Sequence, residues 1–170
     1  MRIRRRALKL EKTHVNSVLD AAHVSVKSVN EDAHLGIVIR VEPDDVRATL
    51  SALRDGELKF EMLIDTFGAD LSVYGDDADT ETPIEVTYHL RSFVNDCDVR
   101  VKMRLPFEGV YHSVIDIFTS VLLPERELCE MFGLYLEDHP NPKRLITNPK
   151  FTTPLLKSVP IRGKEEVWNR

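Results

Sequence analysis

The chain has 170 residues, 42% of them hydrophobic, 30% charged and 7% aromatic, with 23 Lys+Arg against 28 Asp+Glu for a formal net charge of −5. That length fits one domain with a real core, the acidic balance argues against a general nucleic-acid binder, and no stretch approaches the ~18–20 apolar residues of a membrane span. Two cysteines, Cys97 and Cys129, are too few for the four thiolates of a protein-held iron–sulfur cluster or the four ligands of a structural zinc site.

The N-terminus, Met1 to Arg6, is basic but lacks an apolar region and cleavage site behind it, so it does not read as a signal peptide, and the cytoplasm is the default compartment. Leu8 to Ala22 carries Leu10, His14, Val18, Leu19 and Ala22 at helical spacing and predicts an amphipathic first helix. His23 to Val29 reads as a short strand, and Leu35 to Val41 as a β-branched strand buried on both faces. Pro43 with Asp44 and Asp45 supplies a helix start, and the helix runs through Val46, Leu50 and Leu53 to a stop at Gly56.

From Phe60 the period changes to two. Phe60 to Tyr74 predicts a strand, a turn or bulge around Gly68-Ala69-Asp70, and a second strand. Gly75 to Thr82 is a polar loop. Ile84 to Phe93 and Val99 to Leu105 then alternate cleanly across a short polar link, the pattern of an antiparallel hairpin. Val114, Ile117, Phe118 and Val121 return to helical spacing, followed by a helix from Pro124 to Phe132 and an extended piece from Leu134 to Glu137. The fold class is α+β: a mainly antiparallel or mixed sheet with helices on one side, followed by an extended C-terminal tail.

That tail differs from the body. Pro140, Pro142, Pro149, Pro154 and Pro160 leave no room for a useful helix, yet Leu145, Ile146, Phe151, Leu155, Leu156 and Trp168 recur without a period. Such a segment lies back on its own domain or along another protein, and the second is the expectation. The division is therefore a domain over 1–137 and a partner-wrapping tail over 138–170. Charge is uneven as well: the first twelve residues and the tail are basic, whereas Glu42 to Glu81 holds twelve acids against three bases. This pattern suits either docking within an assembly or simple solvated faces. The absence of glutamine, with abundant Glu, Lys and Arg, matches thermophile composition.

The dense signal is Pro124-Glu-Arg-Glu-Leu-Cys-Glu-Met-Phe-Gly133. Pro124 suits a first helical position, Glu125 and Glu127 favour the helix dipole, and Arg126 with Glu130 is an i,i+4 pair. Gly133 suits a left-handed C-terminal position. This helix, followed by LYLEDHPNPKRLI, resembles the ERExxDMFG…GHPxxRR[IL] signature of the NADH-quinone oxidoreductase C-subunit family. That family includes the complex I iron-sulfur protein 3 and short archaeal relatives from membrane-bound hydrogenase and sulfur-reductase complexes. Glu125, Arg126, Glu127, Met131, Phe132 and Gly133 match, as do His139, Pro140 and Arg144. Glu130 stands for the usual Asp, Asp138 for the usual Gly, and the Trp common before ERE is absent. The resemblance spans Ile84 to Ile146.

The resemblance implies a non-catalytic accessory subunit without a redox centre, in the hydrophilic arm of a membrane-bound respiratory oxidoreductase. It would sit peripherally on the cytoplasmic side of the membrane, reaching the membrane arm only indirectly. Its implied partners are a large nickel–iron-hydrogenase-like subunit and a small 4Fe–4S subunit, which would hold the iron–sulfur clusters. The absent Trp, the short length and the glutamine-free composition favour an archaeal hydrogenase-like or sulfur-reductase-like parent complex over NADH dehydrogenase proper. Two other classes stay open: a small hydrolase using Glu125 and Glu127, and a free-standing protein adaptor.

Each residue also has a plainer role. Arg126 is expected to bridge carboxylates, within the domain or to a partner. His139 is expected to hold the His-Pro turn through a backbone carbonyl rather than ligate a metal. Cys129 reads as a free buried thiol. Asp76, Asp77, Asp79 and Glu81 lack EF-hand spacing and read as an exposed turn. The basic N-terminal arm reads as solvated or facing lipid headgroups.

Overall fold

The computed structural model describes residues 10–73, 79–150 and 152–160. Helix α1 (Lys12–Ala21) leads into strands β1 (Ser28–Asp32) and β2 (Gly36–Arg40). A 3-10 turn at Pro43–Asp45 starts α2 (Val46–Asp55). Strands β3 (Met62–Asp70), β4 (Ile84–Ser92), β5 (Cys97–Leu105) and β6 (Val110–His112) follow, then α3 (Pro124–Phe132) and β7 (Tyr135–Glu137).

Five strands form one sheet in the order β1-β2-β5-β4-β3. β2 and β5 run parallel, and the other neighbours are antiparallel. The fold is α+β with a mixed sheet. Alternation sets its two faces. Ile84, Val86, Tyr88 and Leu90 of β4, and Val99, Val101, Met103 and Leu105 of β5, point into a core shared with Val15 and Leu19 of α1, Leu50 and Leu53 of α2, and Leu128 and Phe132 of α3. Each such side chain taken fully out of water contributes about 1.5–3 kcal/mol. The intervening positions carry charge, and there Lys102 Nζ pairs with Glu85 at 2.6 Å and Arg91 with Asp98 at 2.7 Å. Helices thus cover one face and ion pairs the other.

Three local expectations are corrected. The strand placed at His23–Val29 begins only at Ser28, because His23 turns through a positive φ of 54° and Val24 N–H returns to Leu19 O at 3.0 Å. β3 runs unbroken through Gly68-Ala69-Asp70; its irregularity is a bulge between Leu63 and Asp65, where Ile64 is the extra residue. The bulge switches the inward phase, so that Leu63 and Thr66, three apart, are both buried. Gly68 is small for a packing reason: a Cβ there would lie 2.6 Å from Phe132 Cε2 and 2.9 Å from Leu128 Cδ2. The helix expected through Val114 to Val121 is instead a turn and a 3-10 segment at Thr119–Leu122. It follows β6, which pairs in parallel with β7.

Candidate functional site

α3 begins at Pro124 with Glu125 and Glu127 in its first turn, and ends at Gly133, left-handed at φ 72° with its N–H on Cys129 O at 2.9 Å. The nine-residue helix is too short to persist alone and is held from both sides.

The inner side is polar and buried. Glu125 is fully buried and accepts the Ser113 hydroxyl at 2.6 Å and the Val114 N–H at 2.9 Å. Burial pushes its carboxyl above the ordinary glutamate value, against the opposing pull of these two bonds and of the Arg47 charge. From outside, Arg47 donates to Ser113 O and to Asp116 Oδ2, the latter at 2.6 Å. Residues 113–116 are therefore pinned between a buried carboxylate and a guanidinium, which is why helical spacing there yields no helix. Tyr111 reaches Cys129 Sγ at 3.8 Å, and burial pushes both the tyrosine and the thiol up, the thiol to about 11.

The outer side holds the tail. Arg126 donates from Nε to Lys143 O at 2.7 Å and from Nη2 to Arg144 O at 2.9 Å. The carboxylate bridge expected within the domain and the i,i+4 pair with Glu130 are thus corrected: the long guanidinium reaches carbonyls of the tail. Glu130 accepts the N–H of Leu145 at 2.8 Å and Ile146 at 3.0 Å on one oxygen, and the N–H and hydroxyl of Thr147 on the other. Burial alone would raise its carboxyl, but the Thr147 hydroxyl and these N–H groups hold it down to about 2. Further along, Leu155 N–H donates to Met131 O at 3.2 Å and Lys157 N–H to Asp70 Oδ2 at 2.7 Å. Thr153 Cγ2 sits 2.5 Å from where a Gly133 Cβ would lie, so the glycine serves both its φ and this close approach. Between α3 and the tail lies an open cleft of about 600 Å³, bordered by Cys129, Phe132, Gly133, Lys143 and Leu156.

His139 is buried, and its ring meets a backbone carbonyl as expected. Its Nδ1 accepts Asn141 N–H at 3.1 Å, which leaves the Nε2 proton for Leu122 O at 3.1 Å. Pro140 is exposed beside it. Arg144 Nη1 donates to Thr147 Oγ1 at 3.0 Å, inside the tail loop. Met131 is half-buried and Phe132 lies in the core.

Glu125 and Glu127 do not converge: the first is enclosed in the core, and the second is exposed on the groove between α3 and β3. Asp79 accepts from Thr82, Glu81 and Arg104, which hold its carboxyl well below the usual range, while Asp76 and Asp77 lie outside the described residues. The N-terminal arm to Lys9 and the tail beyond Pro160 also lie outside them. Among the described residues no group of three or more His, Cys, Asp or Glu is placed to hold a metal, and no helix is long and apolar enough to cross a membrane. Arg47, Asp70, Ser113 and Thr147 complete the arrangement. No spacing in the sequence links them to α3, since each partner is set by the packing.

The family model described as respiratory-chain NADH dehydrogenase, 30 kDa subunit, matches residues 39–165, beginning well upstream of the signature helix and running past it. The NADH-quinone oxidoreductase C subunit of Wolbachia sp. subsp. Brugia malayi (strain TRS) is 36% identical over 133 residues, covering 77% of this chain and 67% of its own. Its counterpart in Burkholderia thailandensis is 33% identical over 161 residues, covering 92% and 78%. Two solved structures share the fold. The trypsin-resistant fragment (1-134) of Nqo5 superposes with a TM-score of 0.63 at 21% identity, over 75% of this chain and 98% of its own. A chain of the membrane-bound sulfane sulfur reductase, an archaeal respiratory membrane complex, does so with a TM-score of 0.69 at 20% identity, over 92% and 87%.

Proposed function

Because this chain belongs to the respiratory-chain NADH dehydrogenase 30 kDa subunit family, we propose that it is a non-catalytic accessory subunit in the hydrophilic arm of a membrane-bound respiratory oxidoreductase. In this reading it docks a large nickel–iron-hydrogenase-like subunit and a small 4Fe–4S subunit, peripherally on the cytoplasmic side of the membrane. The iron–sulfur clusters belong to those partners: this chain has two cysteines, half-buried on β5 and α3, whereas a cluster takes four thiolates.

One observation carries the docking role. The signature side chains of α3 are turned to structure: Glu125 fixes a loop, and Arg126 and Glu130 fix the tail by backbone groups. This leaves a strap tied to α3 by these bonds, with Ile146 and Leu155 63% and 54% exposed. A strap with apolar residues held outward is suited to lie against a larger neighbour. The parent is a complex I-like, hydrogenase-like or sulfur-reductase-like assembly, the last supported by the fold shared with the sulfane sulfur reductase chain.

The test is purification of the native protein from membranes and identification of the chains that come with it. A large hydrogenase-like chain and an iron–sulfur chain in fixed stoichiometry are expected. Recovery of the protein alone, or turnover of a redox or hydrolytic substrate by the pure chain, would overturn the proposal.

A further inference from the structure

We propose that the outer edge of β3, with the groove it forms beside α3, takes up an extended lysine- or arginine-bearing segment of another polypeptide as a sixth strand of the sheet. The two edges of the sheet are unlike. β1, at one end, is short and polar, Ser28 to Asp32, the sort of edge that discourages pairing. β3, at the other, is nine residues long and contains no Lys, Arg or Pro. It exposes Met62, Ile64 and Phe67 at 41%, 41% and 46%. An edge strand directs every second backbone N–H and C=O away from its neighbour, and past the Leu63–Asp65 bulge β3 runs on regularly from Asp65, so that this stretch can template an added strand.

The groove beside this edge fixes the chemistry of the occupant. It measures about 190 Å³, with Phe67, Met131 and Leu155 as apolar lining; among the described residues that line it, the charged ones are Asp65 and Glu127. Thr66 lies in the same groove with its Oγ1 buried and unpartnered among the described residues, and its N–H donates to the adjacent Asp65 carboxylate at 2.8 Å. A second copy of this chain would set Asp65 and Glu127 against their own likenesses, which disfavours self-pairing. Asp65 and Phe67, two apart, share the sheet face away from α3, whereas Glu127 stands on α3; an added strand with an apolar residue beside Phe67 and a Lys or Arg two positions along meets the first face, and a basic residue on its other face meets Glu127. The inference rests on the edge itself and holds for any parent complex.

The test uses the full chain in its host, with a photo-crosslinking residue at position 64 or 67 and a reference label at Leu35, in the distant β1–β2 turn. The expected product joins position 64 or 67 to one extended segment of a different polypeptide that carries Lys or Arg among apolar residues, at five or more times the Leu35 yield. Asp65→Lys should lower that yield at least fivefold, and Asp65→Asn by less. A crosslink to a second copy, to this chain itself or to an acidic segment, a yield no higher than at Leu35, or no effect of Asp65→Lys would each overturn the inference. Co-purification of the chain with its complex is read separately, so failure here leaves the accessory-subunit reading intact.

Discussion

Glu125 and Glu130 lie five residues apart on one helix, yet their surroundings move their protons in opposite directions. Glu125 is raised by burial above 4.5, so the folded chain binds its proton more tightly than the unfolded chain does. Its contribution to stability is greatest below 4.5 and falls as pH rises through the folded value. Glu125→Gln keeps an acceptor for Val114 and should flatten that dependence, seen as urea midpoints that converge with wild type at low pH and exceed it at pH 8. Glu125→Ala orphans the Val114 N–H and should cost about 1–3 kcal/mol. Glu130 is held down from 4.5 to about 2, so its hold on the tail is complete above pH 4.5 and is lost as pH falls toward 2. Glu130→Gln should abolish that acid sensitivity in hydrogen exchange at residues 145–147. Arg126→Ala removes two charge-assisted bonds to tail carbonyls, worth about 1–2 kcal/mol of local opening. Exchange at 143–147 should quicken roughly tenfold, and incorporation into the complex should drop while assembled complexes turn over normally.

Between elements, the tightest fit is α3 against β3. Because a Gly68 Cβ would fall within 3 Å of Phe132 and Leu128, Gly68→Ala should destabilise the chain by about 1–3 kcal/mol through overpacking, measured by urea unfolding. β4 and β5 are legible from the sequence because period-two alternation holds wherever one face is buried and the other solvated. α3 is legible from Pro124 and Gly133, since chain stereochemistry decides those ends locally. Val114 to Val121 is misread for the opposite reason: the Glu125 carboxylate takes the Val114 N–H and Arg54 the Ile117 carbonyl from outside the segment, while Arg47 holds the Asp116 side chain, and tertiary bonds outrank helical spacing. β3 is misread as broken at Gly68 because a glycine in a strand signals a bend and a glycine admitting a phenylalanine looks the same.

For the whole molecule, the core is continuous from Val15 in α1 to Leu134 before β7, whereas the tail is attached by bonds to Glu130, Arg126, Met131 and Asp70 and by Leu156, half-buried against the core. Unfolding of the body should be a single cooperative transition, with β4 and β5 amides exchanging only through it. Amides of residues 145–157 should exchange at least ~100-fold faster through local opening. Tail exchange as slow as that of β4 would show that the strap is part of the body. By itself the sequence determined the α+β class, the hairpin, the capped signature helix and the family, because each depends on periodicity, end residues or a dense local motif. Only the tertiary structure decided that Arg126 and Glu130 grip the tail's backbone rather than each other, that Glu125 is a buried loop anchor, and that β3 is an open edge. Hydrogen-bond partners distant in sequence are chosen by packing, and no local pattern encodes them.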